Sequence, residues 1–180
     1  PDIEVTLVAS DEELDVSMRE ADCAIRLTPP TQGDLIQSRL TRVHTHVFAS
    51  PAYLQNKGMP EKVRDLANHN IIAYDEERTM PVPNLNWLVN AIRDATNEEP
   101  IKVLTLNNLY GILRAVEAGV GMAGLPDFLA RETQTLVRVL PELEGPGNDA
   151  YFVYPEELRN SQRIGVFRDF LLRKVAETRF

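Results

Sequence analysis

Short apolar runs of strand character alternate with segments of helical period along the chain, and that alternation admits few architectures. A strand followed by a helix, repeated, sets neighbouring strands parallel, because each helix carries the chain back across the sheet before the next strand begins. The clearest helical segment places Leu109, Ile112, Leu113 and Val116 at i, i+3, i+4 and i+7, with Asn107 or Asn108 in capping position and Gly119 closing it. The apolar run 101–106 before it reads as a strand. Other strand readings fall at 3–8, where Ile3, Val5 and Leu7 share one face, and at 22–27, 43–49, 71–74, 136–140 and 151–154. Helices are expected over 11–20, from Ser50-Pro51 to Gly58, over 61–68, from Asn84 or Asn86 to about residue 95, over 127–133 and over 161–177. Residues 75–83 and 144–149 read as loops. The expected class is α/β with a largely parallel sheet.

Composition narrows the function. The 180 residues suit one domain or two small lobes, and an apolar share of 43% supplies a core without disulfides. A net charge of −8 opposes contact with nucleic-acid phosphate and anionic lipid, so the chain is not expected to hold DNA by itself. The single cysteine, Cys23, excludes an internal disulfide and a cysteine-rich metal site, and its neighbours Ala24 and Ile25 mark it as a small buried side chain. No run approaches the roughly 18 apolar residues of a membrane helix. No basic-then-apolar leader opens the sequence, although Pro1 stands where an initiator Met is expected. The expected location is cytoplasmic.

Several constellations invite a chemical reading. Gly119, Gly121 and Gly124 fit G-x-G-x-x-G, but a dinucleotide site needs a strand before the glycines and a helix after them. Here the strongest helix precedes them, so helix closure and close backbone packing are expected. His44 and His46 share a strand face without the third and fourth ligands of a metal site, and are expected on a solvated face. No serine or cysteine sits in a recognisable catalytic context, and the acidic doublets Glu12-Glu13, Glu98-Glu99 and Glu156-Glu157 read as solvated surface. No enzyme activity and no cofactor are expected. Two features point to a ligand instead. Arg26 and Thr28 close a short apolar strand, and ligands of open α/β sheets gather at strand C-termini. Asn84, Asn86, Asn107 and Asn108 stand at helix starts, where backbone N–H groups favour anions; plain capping by asparagine is the competing explanation.

Residues 22–27 read Asp-Cys-Ala-Ile-Arg-Leu, residues 49–54 read Ala-Ser-Pro-Ala-Tyr-Leu, and residues 115–126 run through three glycines to Leu-Pro. In that order they resemble the effector-binding domain of LysR-type transcriptional regulators, the first being similar to the family's D-x-A-I-R strand. Ala49-Ser50-Pro51 with Tyr53 and Leu54, then Gly58 and Pro60, then Asp65, Leu66 and His69 resembles A-S-P-x-Y-L…G-x-P…D-L…H. The segment 115–126 resembles A-V-x-A-G-x-G-I-A-x-L-P. Tyr154-Pro155 and the helix with Phe167, Phe170 and Leu171 match the usual ending, so the likeness runs over nearly the whole chain.

The resemblance implies a two-lobed, periplasmic-binding-protein-like (type 2) fold. Lobe one would take residues 1–69 with 151–180, and lobe two residues 70–150. Family effector domains begin with a strand and helix ahead of the segment matching 1–10. This sequence lacks that first unit of lobe one, and also the winged helix-turn-helix through which such regulators hold DNA. The resemblance further implies a small-molecule effector held between the lobes by Arg26, Leu27 and Thr28 from one side and by Pro83, Asn84, Leu85, Leu106 and Asn107 from the other. An acidic effector, such as an organic acid, would pair with Arg26. The implied assembly is a homodimer or homotetramer, with no membrane contact and with DNA bound only through the N-terminal domain. A transport-type solute-binding protein of the same fold is the alternative.

Overall fold

The structure, a computed structural model, describes residues 3–9, 20–29, 33–76, 82–133 and 135–177. The first half of the chain forms β1 (Ala24–Arg26), β2 (Leu35–Val43), β3 (Thr45–Ala49), α1 (Pro51–Lys57), a 3-10 helix (Val63–Asn68), β4 (Asn70–Tyr74) and α2 (Trp87–Thr96). The second half forms β5 (Ile101–Leu106), α3 (Leu109–Glu117), β6 (Ala123–Pro126), α4 (Asp127–Thr133), β7 (Val137–Glu144), β8 (Asn148–Pro155) and α5 (Gln162–Glu177). Two compact units emerge: Pro1–Val43 with Asn148–Phe180, and His44–Gly147.

In the first unit, β8 lies between β1 and β2 and is antiparallel to both. Its Tyr151, Phe152, Val153 and Tyr154 are residue types that fit a pleated, buried surface. Phe152 and Tyr154 alternate to one face, where Ile164 of α5 and the partly buried Cys23, Ile36, Phe167 and Leu171 close the core around them. Phe167 meets Phe152 edge-on at 6.0 Å between ring centroids, within the range of favourable aromatic pairs. β1 stops after Arg26, ahead of Pro29, as its sequence requires.

The second unit carries a β6-β3-β7 sheet, antiparallel throughout, and a parallel β4-β5 pair that a single bridge, Ile71 to Met122, connects to the segment leading into β6. Layers cover both faces. Ile71, Ala73 and Val47 pack with α1 and α2 through Tyr53, Val89 and Ile92, whereas Ile72, Tyr74 and Phe48 pack with α3 through Ile112, Leu113 and Val116. Burial on both faces explains why β4 is a continuous apolar run instead of an alternating one.

The helix boundaries follow their punctuation. Ser50 caps α1 by accepting from the Tyr53 N–H at 3.3 Å, Pro51 opens it, and Gly58 ends it at φ 88°. Asn108 rather than Asn107 caps α3, accepting from the Gly111 N–H at 2.6 Å. Gly119, at φ 77°, closes it: its N–H donates to the Val116 carbonyl and the Val120 N–H reaches back to that of Ala115. That pair of bonds satisfies carbonyls the helix end would otherwise orphan.

Three expectations about the fold fail, two strands went unread, and one expected helix lies outside the described residues. The sheets are mainly antiparallel, with β4-β5 the parallel pair among the described strands, because β3 and β8 lie beside strands that return from elsewhere in the chain. Residues 3–9 are exposed and join no described ladder, although their alternation is that of a strand: pattern shows which residues suit a sheet, not whether an edge awaits them. β2 went unread because a register shift between Arg39 and Thr41 breaks its alternation. β6 was masked by its glycine-rich approach. The helix expected over 11–20 falls almost wholly outside the described residues. The first unit ends at Val43 and not near residue 69, because β3 pairs with β6 and β7 and so draws the following segment into the second unit.

Candidate functional site

The expected ligand residues stand at strand ends in both units. In the first unit Arg26 ends β1, and Leu27 and Thr28 follow it; all three are half-buried. Arg26 lies opposite Tyr151 of β8. In the second unit the C-terminal end of the parallel β4-β5 pair sets Tyr74 opposite Leu106, and the Asp75 N–H donates to the Leu106 carbonyl at 3.0 Å. The Asn86 side chain accepts from the Tyr74 N–H at 2.8 Å and donates to the Tyr74 carbonyl at 2.9 Å, extending the sheet by one side chain. This clamp draws the turn holding Pro83, Asn84 and Leu85 to the same strand ends as Leu106 and Asn107. Leu85 and Leu106 pack on the α3-side core, and Pro83, Asn84 and Asn107 are exposed.

Asparagine therefore does something other than the capping expected of it before α2. Asn86 occupies the capping position but makes no side-chain cap, being engaged with Tyr74. Asn84 turns the chain at φ 63°, a left-handed conformation that asparagine tolerates, and its carbonyl accepts from the Trp87 N–H at 3.0 Å. Sequence reasoning read Asn86 only as a helix start and did not single out Tyr151. A clamp that bonds strand backbone, and a tyrosine inside an apolar run, carry no local signature.

The histidines are not a solvated pair. His46 is 4% exposed, and its Nδ1 lies 2.6 Å from Asp127 at the start of α4; His44, half-buried, bonds Glu144 of β7 through its own Nδ1. β3 is the central strand of a sheet covered on both faces, so all five of its residues are buried whatever their polarity. The His44 bond holds the Glu144 carboxyl below the usual carboxylate range. Among the described residues no group of three His, Cys, Asp or Glu is placed to hold a metal. Tyr53 makes a second buried polar knot: its hydroxyl accepts from the Asn70 N–H at 2.8 Å and lies 3.3 Å from His69 Nδ1. Burial, then the charge of Lys57, lowers the pKa of His69. Cys23 is half-buried, and burial followed by the Asp22 charge pushes its thiol up, away from the reactive thiolate.

The glycine run closes α3 and packs tightly. A Cβ on Gly121 would stand 2.5 Å from the Asn70 carbonyl oxygen, and one on Gly124 would stand 2.6 Å from Trp87 Nε1. No phosphate cradle forms, since the helix precedes the glycines.

The model of the family described as LysR substrate binding domain matches residues 1–176. The chain belongs to that family. This LysR substrate-binding domain is 28% identical over 174 residues to YhjC, an HTH-type transcriptional regulator of Escherichia coli, covering 95% of the chain and 58% of YhjC. It is 28% identical over 181 aligned positions to the HTH-type transcriptional regulator CrgA of Neisseria meningitidis, covering 97% of the chain and 58% of CrgA. The domain thus spans little more than half the length of these relatives. The solved regulatory domain of CrgA superposes with a TM-score of 0.77 at 24% identity, over 92% of this chain and 81% of that one. Full-length AphB, a virulence activator of Vibrio cholerae, superposes with a TM-score of 0.66 at 21% identity, over 89% and 54%. The fold is that of LysR regulatory domains, periplasmic-binding-protein-like of type 2. The family is one of transcriptional regulators and not of enzymes. No described helix is long and apolar enough to cross a membrane.

Proposed function

We propose that this domain is the effector-sensing part of a cytoplasmic transcription factor and that it binds a small molecule without transforming it. The observation that carries the reading is the family match over residues 1–176, shared with relatives named as transcriptional regulators. Those relatives are nearly twice as long, so DNA contact is assigned to the part of the intact protein that carries the helix-turn-helix, and homo-oligomerisation to the same intact protein. The residues assigned to effector contact are Arg26, Leu27, Thr28, Pro83, Asn84, Leu85, Leu106 and Asn107. Support comes from their positions: the first three close a strand, and the other five are gathered at one end of the β4-β5 pair. The effector binds one arrangement of the protein more tightly than another, and that difference in affinity sets how the regulator engages DNA.

A thermal-shift screen of small organic acids and aromatic metabolites tests this. A ligand at 100 times its Kd raises stability by about 2.7 kcal/mol, a readily measured change in Tm. The expected outcome is a stabilising ligand whose effect is lost in both Arg26→Ala and Asn84→Ala. A ligand that stabilises the parent and both variants equally would remove these residues from the site.

A further inference from the structure

We infer that Trp87 is the residue through which effector contact at the turn 83–85 reaches the two segments where the chain crosses between its units; this rests on the effector-binding reading above. The backbone of Trp87 is tied to that turn, its N–H donating to the Asn84 carbonyl at 3.0 Å. Asn86, immediately before it, is bonded to both backbone polar groups of Tyr74, so the turn and the start of α2 are held as one piece. Trp87 is 8% exposed, and its indole rests on two glycines. A Cβ on Gly124 of β6 would stand 2.6 Å from Nε1, and one on Gly145, just past β7, would collide with Cε2 and with the Thr45 hydroxyl. The chain passes from one unit to the other after Val43 and again after Gly147. Thr45 and Gly145 thus lie just inside the second unit at its two crossings. They are joined there, the Gly145 N–H donating to the Thr45 carbonyl at 2.9 Å, and the indole stands against the joined pair.

Position separates this contact from ordinary core packing. Protein interiors are close-packed and little compressible, so a rigid ring passes a displacement on instead of absorbing it. The missing side chains at 124 and 145 bring the indole directly onto strand and crossing backbone, where no flexible group cushions it. The Thr45 hydroxyl is buried beside this contact and has no hydrogen-bond partner among the described residues. A buried hydroxyl without a partner raises the energy of the arrangement that hides it, so a shift of the ring that lets it be hydrated is favoured. Effector contact that repositions the turn moves the ring and biases that balance. Such a bias on an element both places share is what coupling between them requires.

Residue-resolved amide hydrogen exchange, followed by NMR on this chain without any effector, tests the coupling. The Gly145 N–H reports on the joined crossings, and the Val116 N–H, in the buried face of α3, on opening of the unit as a whole. Asn84→Ala disturbs the turn, because alanine disfavours the left-handed backbone found there. It should speed exchange at Gly145 about tenfold more than at Val116. Asn97→Ala places the same strain at the other end of α2, where φ is 58°, and should produce no such excess. In a Trp87→Leu background the excess caused by Asn84→Ala should vanish. In Trp87→Phe, which keeps an aromatic ring in the core, it should shrink about threefold. Circular dichroism checks that each variant folds, and if Trp87→Leu does not, Trp87→Phe decides alone. No excess in Asn84→Ala, an equal excess from Asn97→Ala, or an excess that the Trp87 substitutions leave unchanged would each overturn the inference. Effector contact is judged separately, since a thermal-shift ligand indifferent to Asn84→Ala removes the turn from the effector site whatever the exchange rates show.

Discussion

Tyr53 shows how much a single buried hydroxyl decides in this protein. Its oxygen accepts from the Asn70 N–H and lies 3.3 Å from His69 Nδ1, a nitrogen that a neutral imidazole can offer as acceptor for the hydroxyl proton. Burial acts in the same direction, lowering the His69 pKa from the ordinary 6.5. The sign follows: the unfolded chain takes up a proton on this group at a higher pH than the native protein does, so stability is fully present above pH 6.5 and declines as the pH falls toward the depressed native value. Urea denaturation at a series of pH values should show that decline, and His69→Gln should flatten it; an unchanged slope would exclude His69 as the cause. Tyr53→Phe leaves the Asn70 donor and the His69 acceptor without this hydroxyl and should cost about 1–3 kcal/mol. His46 makes the complementary point, since its partner Asp127 lies 81 residues away and no local pattern announces the pair.

Among elements, α3 with its glycine exit is the most fully determined by local chemistry. Its apolar face, a cap at Asn107 or Asn108 and the Gly119 closure were each legible as residue types at set spacings, and the structure gives the cap to Asn108. Asn108→Ala should cost about 1 kcal/mol through loss of the cap. Gly121→Ala should cost more than that, about 1–3 kcal/mol, because the new methyl meets the Asn70 carbonyl, which belongs to β4 and cannot rotate away as a side chain would. Thermal denaturation that found Gly121→Ala neutral would show that the β4 edge yields. The strands were less legible. β4 and β5 read correctly as apolar runs, but β2 hid behind a bulge and β6 behind glycines, because pairing depends on a distant partner and not on local pattern.

For the whole molecule, charge is the property that most limits what the domain does alone. At −8 the chain as a whole is repelled by duplex phosphate. Fluorescence anisotropy with labelled duplex DNA at physiological salt is expected to show no binding by this chain; salt-sensitive binding would assign it a DNA contact that the effector-sensing reading does not contain. The two compact units divide the expected ligand residues between them, three in one and five in the other.

What the sequence determined by itself was the α/β class, most helix boundaries, the family, and the strand ends at which ligand residues were sought. These are carried by periodicity, caps, glycines and an ordered set of short segments, all of which act within a few residues. Only the tertiary structure decided that the sheets are mainly antiparallel, that β3 belongs with the second unit, that the Asn86 side chain holds Tyr74, and that Arg26 and Arg39 flank Tyr151. Each of those depends on which strand lies beside which, and strand neighbours are chosen by the burial of faces contributed by residues far apart in the chain.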